Sequence, residues 1–180
     1  RKLSEIILNE MKKNLGNNFH PVQLDITNEV AISNWVKNTF QENYIPDILI
    51  NNAGVGSFHK VDETTTDTWL SMINTNLNGM FYITSKIAAL MKKKNSSSHI
   101  VNIGSIAGKE IYPNGNVYSA SKFAVDALTR AMRVDLHKYN IRVSQVSPGA
   151  VEETEFALVR FHGDAEKASI YKDFTPLKAS

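Results

Sequence analysis

The chain has no cysteine among its 180 residues, which excludes disulfides, thiol nucleophiles and cysteine-ligated zinc. A reducing, cytoplasmic setting fits that absence. No apolar run approaches the ~20 residues a membrane helix needs, so no membrane partner is expected. There is no large charge excess either, since a formal charge of +2 is too small to argue for nucleic acid. The longest basic run, Lys92 to Lys94, follows an apolar helical stretch, where cations complement the helix dipole. The five histidines (His20, His59, His99, His137 and His162) stand far apart without metal-ligand spacing, and no metal site is expected. Repeats, low-complexity tracts and linkers are missing too. So is an initiator methionine: the chain opens at Arg1 in a helical pattern and stops at Ser180 after an irregular stretch. Both ends are expected to lie inside a longer polypeptide, which leaves a targeting signal open.

What is present suits a soluble globular domain, at 42% apolar and 21% charged residues. Leu3, Ile6, Ile7, Met11 and Leu15 recur at helical spacing, with Gly16 as a stop. "HPVQLD" (His20 to Asp25) reads as a short strand. Val30, Ile32, Trp35, Val36 and Phe40 outline a second amphipathic helix. "DILI" (Asp47 to Ile50) reads as a buried strand that leaves into the turn "NNAG". Thr64 with Asp67 resembles a capping pair for a long helix, about Thr65 to Lys93, closed by "SSS". "HIVNIG" (His99 to Gly104) is another buried strand. A helix follows from about Val117, with Asn114 or Asn116 as its cap. "IRVSQVSPG" is a strand running into a Pro-Gly turn. Strands alternating with helices imply βαβ units: an α/β fold, a Rossmann-like doubly wound parallel sheet with helices on both faces. The whole chain, 1–180, is expected to be one domain.

Ligands of such sheets sit where the chain leaves the C-terminal ends of the strands. Those positions hold Asp25 and Ile26, Asn51 to Gly54, Ser105, and Pro148 with Gly149. Small residues there let a flat ligand approach the backbone. Any one of them alone reads as a plain turn; four at one edge point to a site.

Two tyrosine–lysine pairs share a four-residue spacing, which stacks each pair on one helix face. Tyr82 and Lys86 lie deep in the long helix, far from a strand end, and read as packing and a solvated or snorkelling side chain. Tyr118 and Lys122 occupy the first turns of their helix, reached from the strand that ends at Ser105. A free tyrosine titrates near ~10 and is a poor base at neutral pH. Bringing it to about 7 takes roughly 4 kcal/mol of preference for the phenolate. A cation about 4 Å away supplies that order at an effective dielectric of ~20. The phenol can then exchange a proton with an alcohol or carbonyl, while Ser105 holds the same oxygen. No side chain transfers a hydride, so a cofactor is implied.

With "NNAG" at Asn51, "NTNLNG" around Asn76, "VNIGSIAG" around Ser105, "YSASK" at Tyr118 and "IRVSQVSPGAV" at Ile141, the chain resembles the short-chain dehydrogenase/reductase family over nearly its whole length. The resemblance implies a catalytic tetrad of Asn76, Ser105, Tyr118 and Lys122. Asn76 would hold a water that links Lys122 to a proton relay, and Lys122 would also bond the nicotinamide ribose. Asp25 and Ile26 would border the adenine, while Asn52, Ala53 and Gly54 would line the adenosine ribose. Pro148, Gly149 and Val151 would pass beside the nicotinamide, with Thr154 near the carboxamide or diphosphate. Plain readings stay beside these: Asn76 as a bend or cap within its helix, Asp25 as the cap of the next helix.

Two departures qualify the resemblance. The family's glycine-rich phosphate loop and the second strand, which chooses between NAD and NADP, are not in this chain, nor is the last strand. In the family's order, 3-2-1-4-5-6-7, the "HPVQLD" strand would then have no neighbour. Further on, Thr154 falls one residue later than in many relatives, and "EETEFALVRFHGDAEKA" is similar to NADP-dependent 3-hydroxy acid dehydrogenases, including serine and allo-threonine dehydrogenases. Arg160 becomes a candidate to pair a substrate carboxylate, against a surface ion pair with Glu155 or Asp164. NADP is expected rather than NAD. Other readings stay open: a 3-oxoacyl thioester or steroid reductase, a non-catalytic nucleotide sensor, and a sugar-nucleotide epimerase. The resemblance also implies a homodimer or homotetramer built on the long helices.

Overall fold

The computed structural model describes residues 5–40, 44–94, 96–151, 156, 177 and 178. Three parallel strands, β1 (Ile48–Asn51), β2 (Ser98–Ile103) and β3 (Ile141–Val146), pair in the order β1-β2-β3. Helices α1 (Glu5–Leu15) and α2 (Glu29–Thr39) precede β1, α3 (Thr66–Ile73) and α4 (Met80–Met91) lie between β1 and β2, and α5 (Asn116–Leu136) lies between β2 and β3. Strands joined through helices in one direction give a single Rossmann-like α/β domain.

One face of the sheet carries the main core. Ile32 and Val36 of α2, Ile87, Ala88 and Met91 of α4, and Met132 and Leu136 of α5 close on Ile100, Ile141 and Val143. The spacing of those residues, three or four apart, is what makes each helix amphipathic. Gly16 takes φ +66°, a left-handed conformation open to glycine, and ends α1 as its sequence suggests.

Several expectations change in detail. Residues 20–25 join no ladder, so "HPVQLD" is not a strand. A strand needs neighbouring backbone to bond, and among the described residues the sheet stops at β1. β1 is only half-buried: Leu49 packs against the core, while Ile48 and Ile50 on the opposite face are 60% and 61% exposed. The helix expected over 65–93 is broken by a π-helical turn, Asn74–Gly79, and "SSS" does not close it, because Ser98 already belongs to β2. Its cap is Thr65, whose hydroxyl accepts from the Thr68 amide at 3.1 Å; the Thr64 hydroxyl donates to the Lys60 carbonyl instead.

Neither asparagine caps α5 from outside. Gly115 holds the cap position, Asn116 is already helical, and Asn114 sits at φ +62°. The Asn116 amide donates to His59 O and Thr64 Oγ1, tying the helix start to the loop after β1. The cap of α2 is Asn28, which accepts from Ala31 N at 3.0 Å, so Asp25 is not that cap.

Candidate functional site

The site is assembled at the C-terminal ends of β1, β2 and β3. Ser105 leaves β2 in extended conformation, and its Oγ accepts from the Ala107 amide at 3.1 Å. A 3-10 turn, Ile106–Gly108, then lies against α5. Its closeness depends on Gly108, where a Cβ would stand 2.6 Å from the Lys122 carbonyl oxygen. That missing side chain lets the Ser105 loop reach the turn of α5 that carries Lys122.

Tyr118 and Lys122 are both buried in the first turns of α5. Lys122 is 6% exposed; its ammonium donates to Ile103 O at 2.9 Å and lies 5.8 Å from the centre of the Tyr118 ring. Burial disfavours the charged form and lowers its pKa from 10.5 to about 8. The ammonium therefore stays charged at neutral pH but is easily discharged above it.

Asn76, 2% exposed, is in the π-helical turn. Its Oδ1 accepts from Val55 N at 2.8 Å; its Nδ2 donates to Val55 O at 2.9 Å and to Ser121 Oγ at 3.0 Å. Ser121 Oγ donates in turn to Tyr118 O at 2.7 Å. One amide thus joins the loop after β1, the π turn and the first turn of α5. The sequence reading missed Ser121 and Val55. Ser121, three residues after Tyr118, was visible as a polar residue on the buried side of the helix.

Residues 52–54 are exposed, and the loop passes beside this group at Gly54. A Cβ on Gly54 would lie 3.4 Å from Asn76 Oδ1 and 3.7 Å from Lys122 Nζ. Asp25 accepts from Thr27 N and Thr27 Oγ1, which hold its carboxyl below the usual range. Ile26 meets the same π turn, since a Cβ on Gly79 would lie 2.8 Å from the Ile26 carbonyl oxygen. Pro148 O accepts from Ile106 N at 3.0 Å, joining the Pro-Gly turn to the Ser105 loop, with Gly149 and Val151 following. Phe156, also missed, packs on the Tyr118 ring with centroids 5.9 Å apart. Thr154 and Arg160, with Glu155 and Asp164, lie outside the described residues.

The second pair lies elsewhere. Lys86 bonds Glu29 of α2 at 3.1 Å on the surface, and Tyr82 packs at the margin of the main core. Among the described residues there is no metal-binding cluster, and no helix is long and apolar enough to cross a membrane.

Three comparisons place this geometry among known proteins. A family described as short chain dehydrogenase matches residues 2–163. The chain is 40% identical over 162 residues to an NADP-dependent 3-hydroxy acid dehydrogenase of Escherichia coli (strain K12), covering 89% of this chain and 65% of that protein. It is 38% identical over 175 residues to an NADP-dependent 3-hydroxy acid dehydrogenase of Schizosaccharomyces pombe, covering 96% of this chain and 67% of that one. The solved closed form of serine dehydrogenase complexed with NADP+ superposes with a TM-score of 0.89 at 38% identity, over 97% of this chain and 71% of that one. The chain therefore spans 65% of the length of the Escherichia coli relative. With the sheet, the Tyr118–Lys122 turn and these matches in agreement, the chain belongs to the short-chain dehydrogenase family.

Proposed function

We propose that the protein is an NADP-dependent oxidoreductase acting between a small 3-hydroxy acid and its carbonyl form, with serine, allo-threonine and 3-hydroxypropionate as the first candidates. The observation that carries this reading is the buried Lys122 ammonium beside the Tyr118 ring and under Gly54. The residues suit a dinucleotide. Among the described residues Lys122 Nζ donates to one acceptor, Ile103 O, which leaves donor capacity for a ribose hydroxyl. The bare backbone at Gly54 leaves room beside it. Asp25, Ile26, Asn52, Ala53, Gly54, Pro148, Gly149, Val151 and Thr154 are proposed to line the coenzyme. The NADP-dependent names of the relatives support NADP over NAD.

A bound nicotinamide would supply the hydride chemistry that no side chain can, accepting hydride from the alcohol carbon or donating it to the carbonyl. Tyr118, as phenolate, takes the hydroxyl proton of the alcohol; in the reverse direction its phenol gives that proton back. The Lys122 ammonium, 5.8 Å from the centre of the Tyr118 ring, favours the phenolate by charge attraction. Ser105 Oγ already accepts from Ala107 N, so its own proton is available to the substrate oxygen. Both Nδ2 hydrogens of Asn76 are used, so a water bridging Asn76 and Lys122 would donate to an Asn76 oxygen. Arg160 is proposed to pair the substrate carboxylate. Arg160→Ala would then raise KM for hydroxy acids far more than for neutral alcohols; equal effects would count against it.

Exposed Phe81 on α4, with Phe123 and Val134 on one stripe of α5, supports a homodimer or homotetramer, which sedimentation would test. A cytoplasmic location belongs to the same proposal and is open to cell fractionation. The central test is turnover followed by reduced-coenzyme absorbance, across 3-hydroxy acids, 3-oxoacyl thioesters and neutral alcohols, with NADP and with NAD. Preference for a hydroxy acid with NADP is expected. Turnover confined to thioesters, or to NAD, would overturn the substrate or coenzyme assignment.

A further inference from the structure

Asp126 continues the face of α5 that carries Tyr118 and Lys122, one helical turn further on. Among the described residues its side chain bonds neither of them, yet three groups converge on its carboxylate. Oδ1 accepts from Lys109 Nζ at 2.5 Å and from Gln145 Nε2 at 3.2 Å, and Oδ2 accepts from Arg130 Nε at 2.9 Å. Lys109 is the first residue after the 3-10 turn that follows Ser105. Gln145 is in β3, and its Nε2 also donates to Ser147 Oγ at 2.9 Å, just before Pro148. The same amide lies against the backbone that precedes Ser105, because a Cβ on Gly104 would stand 2.6 Å from Gln145 Nε2. The two loops also meet directly through Ile106 N and Pro148 O.

We propose that Asp126, acting through Gln145 and Lys109, is a positioning residue that clamps the Ser105 loop and the Pro148–Gly149 turn to the helix bearing Tyr118 and Lys122. The functional half of this inference rests on the oxidoreductase reading above. Its mechanical half does not. A half-buried carboxylate with three donors on it holds its partners in fixed directions. Releasing it leaves Gln145 free to rotate against Gly104 and lets the loop contact Ile106–Pro148 open.

Two readouts test the clamp in the intact protein. In Asp126→Asn, hydrogen exchange at the Ile106 amide, with no ligand added, should speed up at least tenfold, while the amides of residues 121–125 keep their rates. With NADP and a 3-hydroxy acid, kcat should fall about tenfold with little change in melting temperature, and Asp126→Glu should restore most of it. Gln145→Leu removes one of the two links and leaves Lys109, so it should move both readouts in the same direction by a smaller amount. Combining it with Asp126→Asn should add little, as expected for groups that share a link. Arg130→Ala leaves Oδ1 with both loop contacts and should stay within twofold of wild type. Unchanged exchange at Ile106 in both Asp126→Asn and Gln145→Leu overturns the clamp. Faster exchange with unchanged kcat overturns its role in the reaction. Should the wild-type protein turn over no 3-hydroxy acid, the proposed function fails, and the exchange rates still decide the clamp.

Discussion

Tyr82 and Lys86 on α4 repeat the spacing of Tyr118 and Lys122 on α5, and a helix face presents both pairs in the same way. Their surroundings differ. The Lys86 side chain is 38% exposed and its partner is a surface carboxylate, Glu29. Lys122 is enclosed, with a strand-end carbonyl as its partner and its charge disfavoured by burial. An exposed ion pair is screened by water, whereas a buried ammonium projects its field onto whatever lies beside it. Spacing makes a pair; the strand end, through Gly108, Gly54 and Asn76, makes an environment.

The largest expected difference is in turnover. Tyr118→Phe removes the proton-exchanging group and should lower kcat/KM about a thousandfold, within the range for lost acid–base catalysis. Tyr82→Phe should stay within about twofold. Comparable losses in both, read from reduced-coenzyme absorbance, would mean that the environment of Tyr118 confers nothing special.

Next in size is the support under the site. Asn76→Ala leaves the Val55 amide and carbonyl and the Ser121 hydroxyl without that side chain. Unsatisfied buried groups of this kind cost about 2–4 kcal/mol together. Asn78, in the same π turn, bonds only Asn74 through its side-chain amide among the described residues, at 2.8 Å. Asn78→Ala should cost under ~1 kcal/mol in urea unfolding. Equal costs would show that the turn, not the Asn76 amide, secures the loop.

A third contrast is in titration. Lys122 should release its proton near pH 8, seen as one lysine 15N resonance that vanishes in Lys122→Met and survives in Lys86→Met. The sign of its effect on stability follows from linkage. Between about 8 and 10.5 the unfolded chain holds a proton on Lys122 that the folded chain has lost, so stability from this group rises with pH across that window. Below about 8 the buried charge is a cost. Lys122→Met should therefore be inactive yet no less stable at neutral pH, and wild type should gain on it as pH rises from about 8 to 10.5. A wild type that loses ground over that window would refute the buried-cation picture.

Much of the site was legible because its residues follow strands. "NNAG", Ser105 and the Pro-Gly turn sit where apolar runs end, and Tyr118 with Lys122 opens the helix after Ser105. What was hidden is non-local. Whether residues 20–25 pair depends on which backbone lies beside them, not on their own alternation. The π turn at Asn74–Gly79, "NTNLNG", is rich in poor helix formers, which suggests a bend near Asn76 but does not distinguish a π turn from a helix end. Thr64 and Thr65 are equivalent cap candidates until the position of Asn116 decides between them. Nothing in the local sequence singles out Asp126, because Lys109 and Gln145 reach it from distant parts of the chain.

The smallest effect belongs to the surface pair. Lys86→Met removes a contact with Glu29 in which both side chains are more than a third exposed, at 38% and 54%. Such pairs contribute about 0.2–1 kcal/mol, less at high salt, because hydration and side-chain entropy offset most of the attraction. The contact does join α2 to α4, and those helices share the core cluster of Ile32, Val36 and Ile87. Apolar burial already fixes that packing, so the ion pair has little left to hold. The expected change in unfolding free energy is therefore under ~0.5 kcal/mol, shrinking further in high salt, with kcat and both KM values unchanged. A loss of several kcal/mol, or one that salt does not touch, would mean that Lys86 is held by something other than Glu29, and that the two pairs are less different than their burial implies.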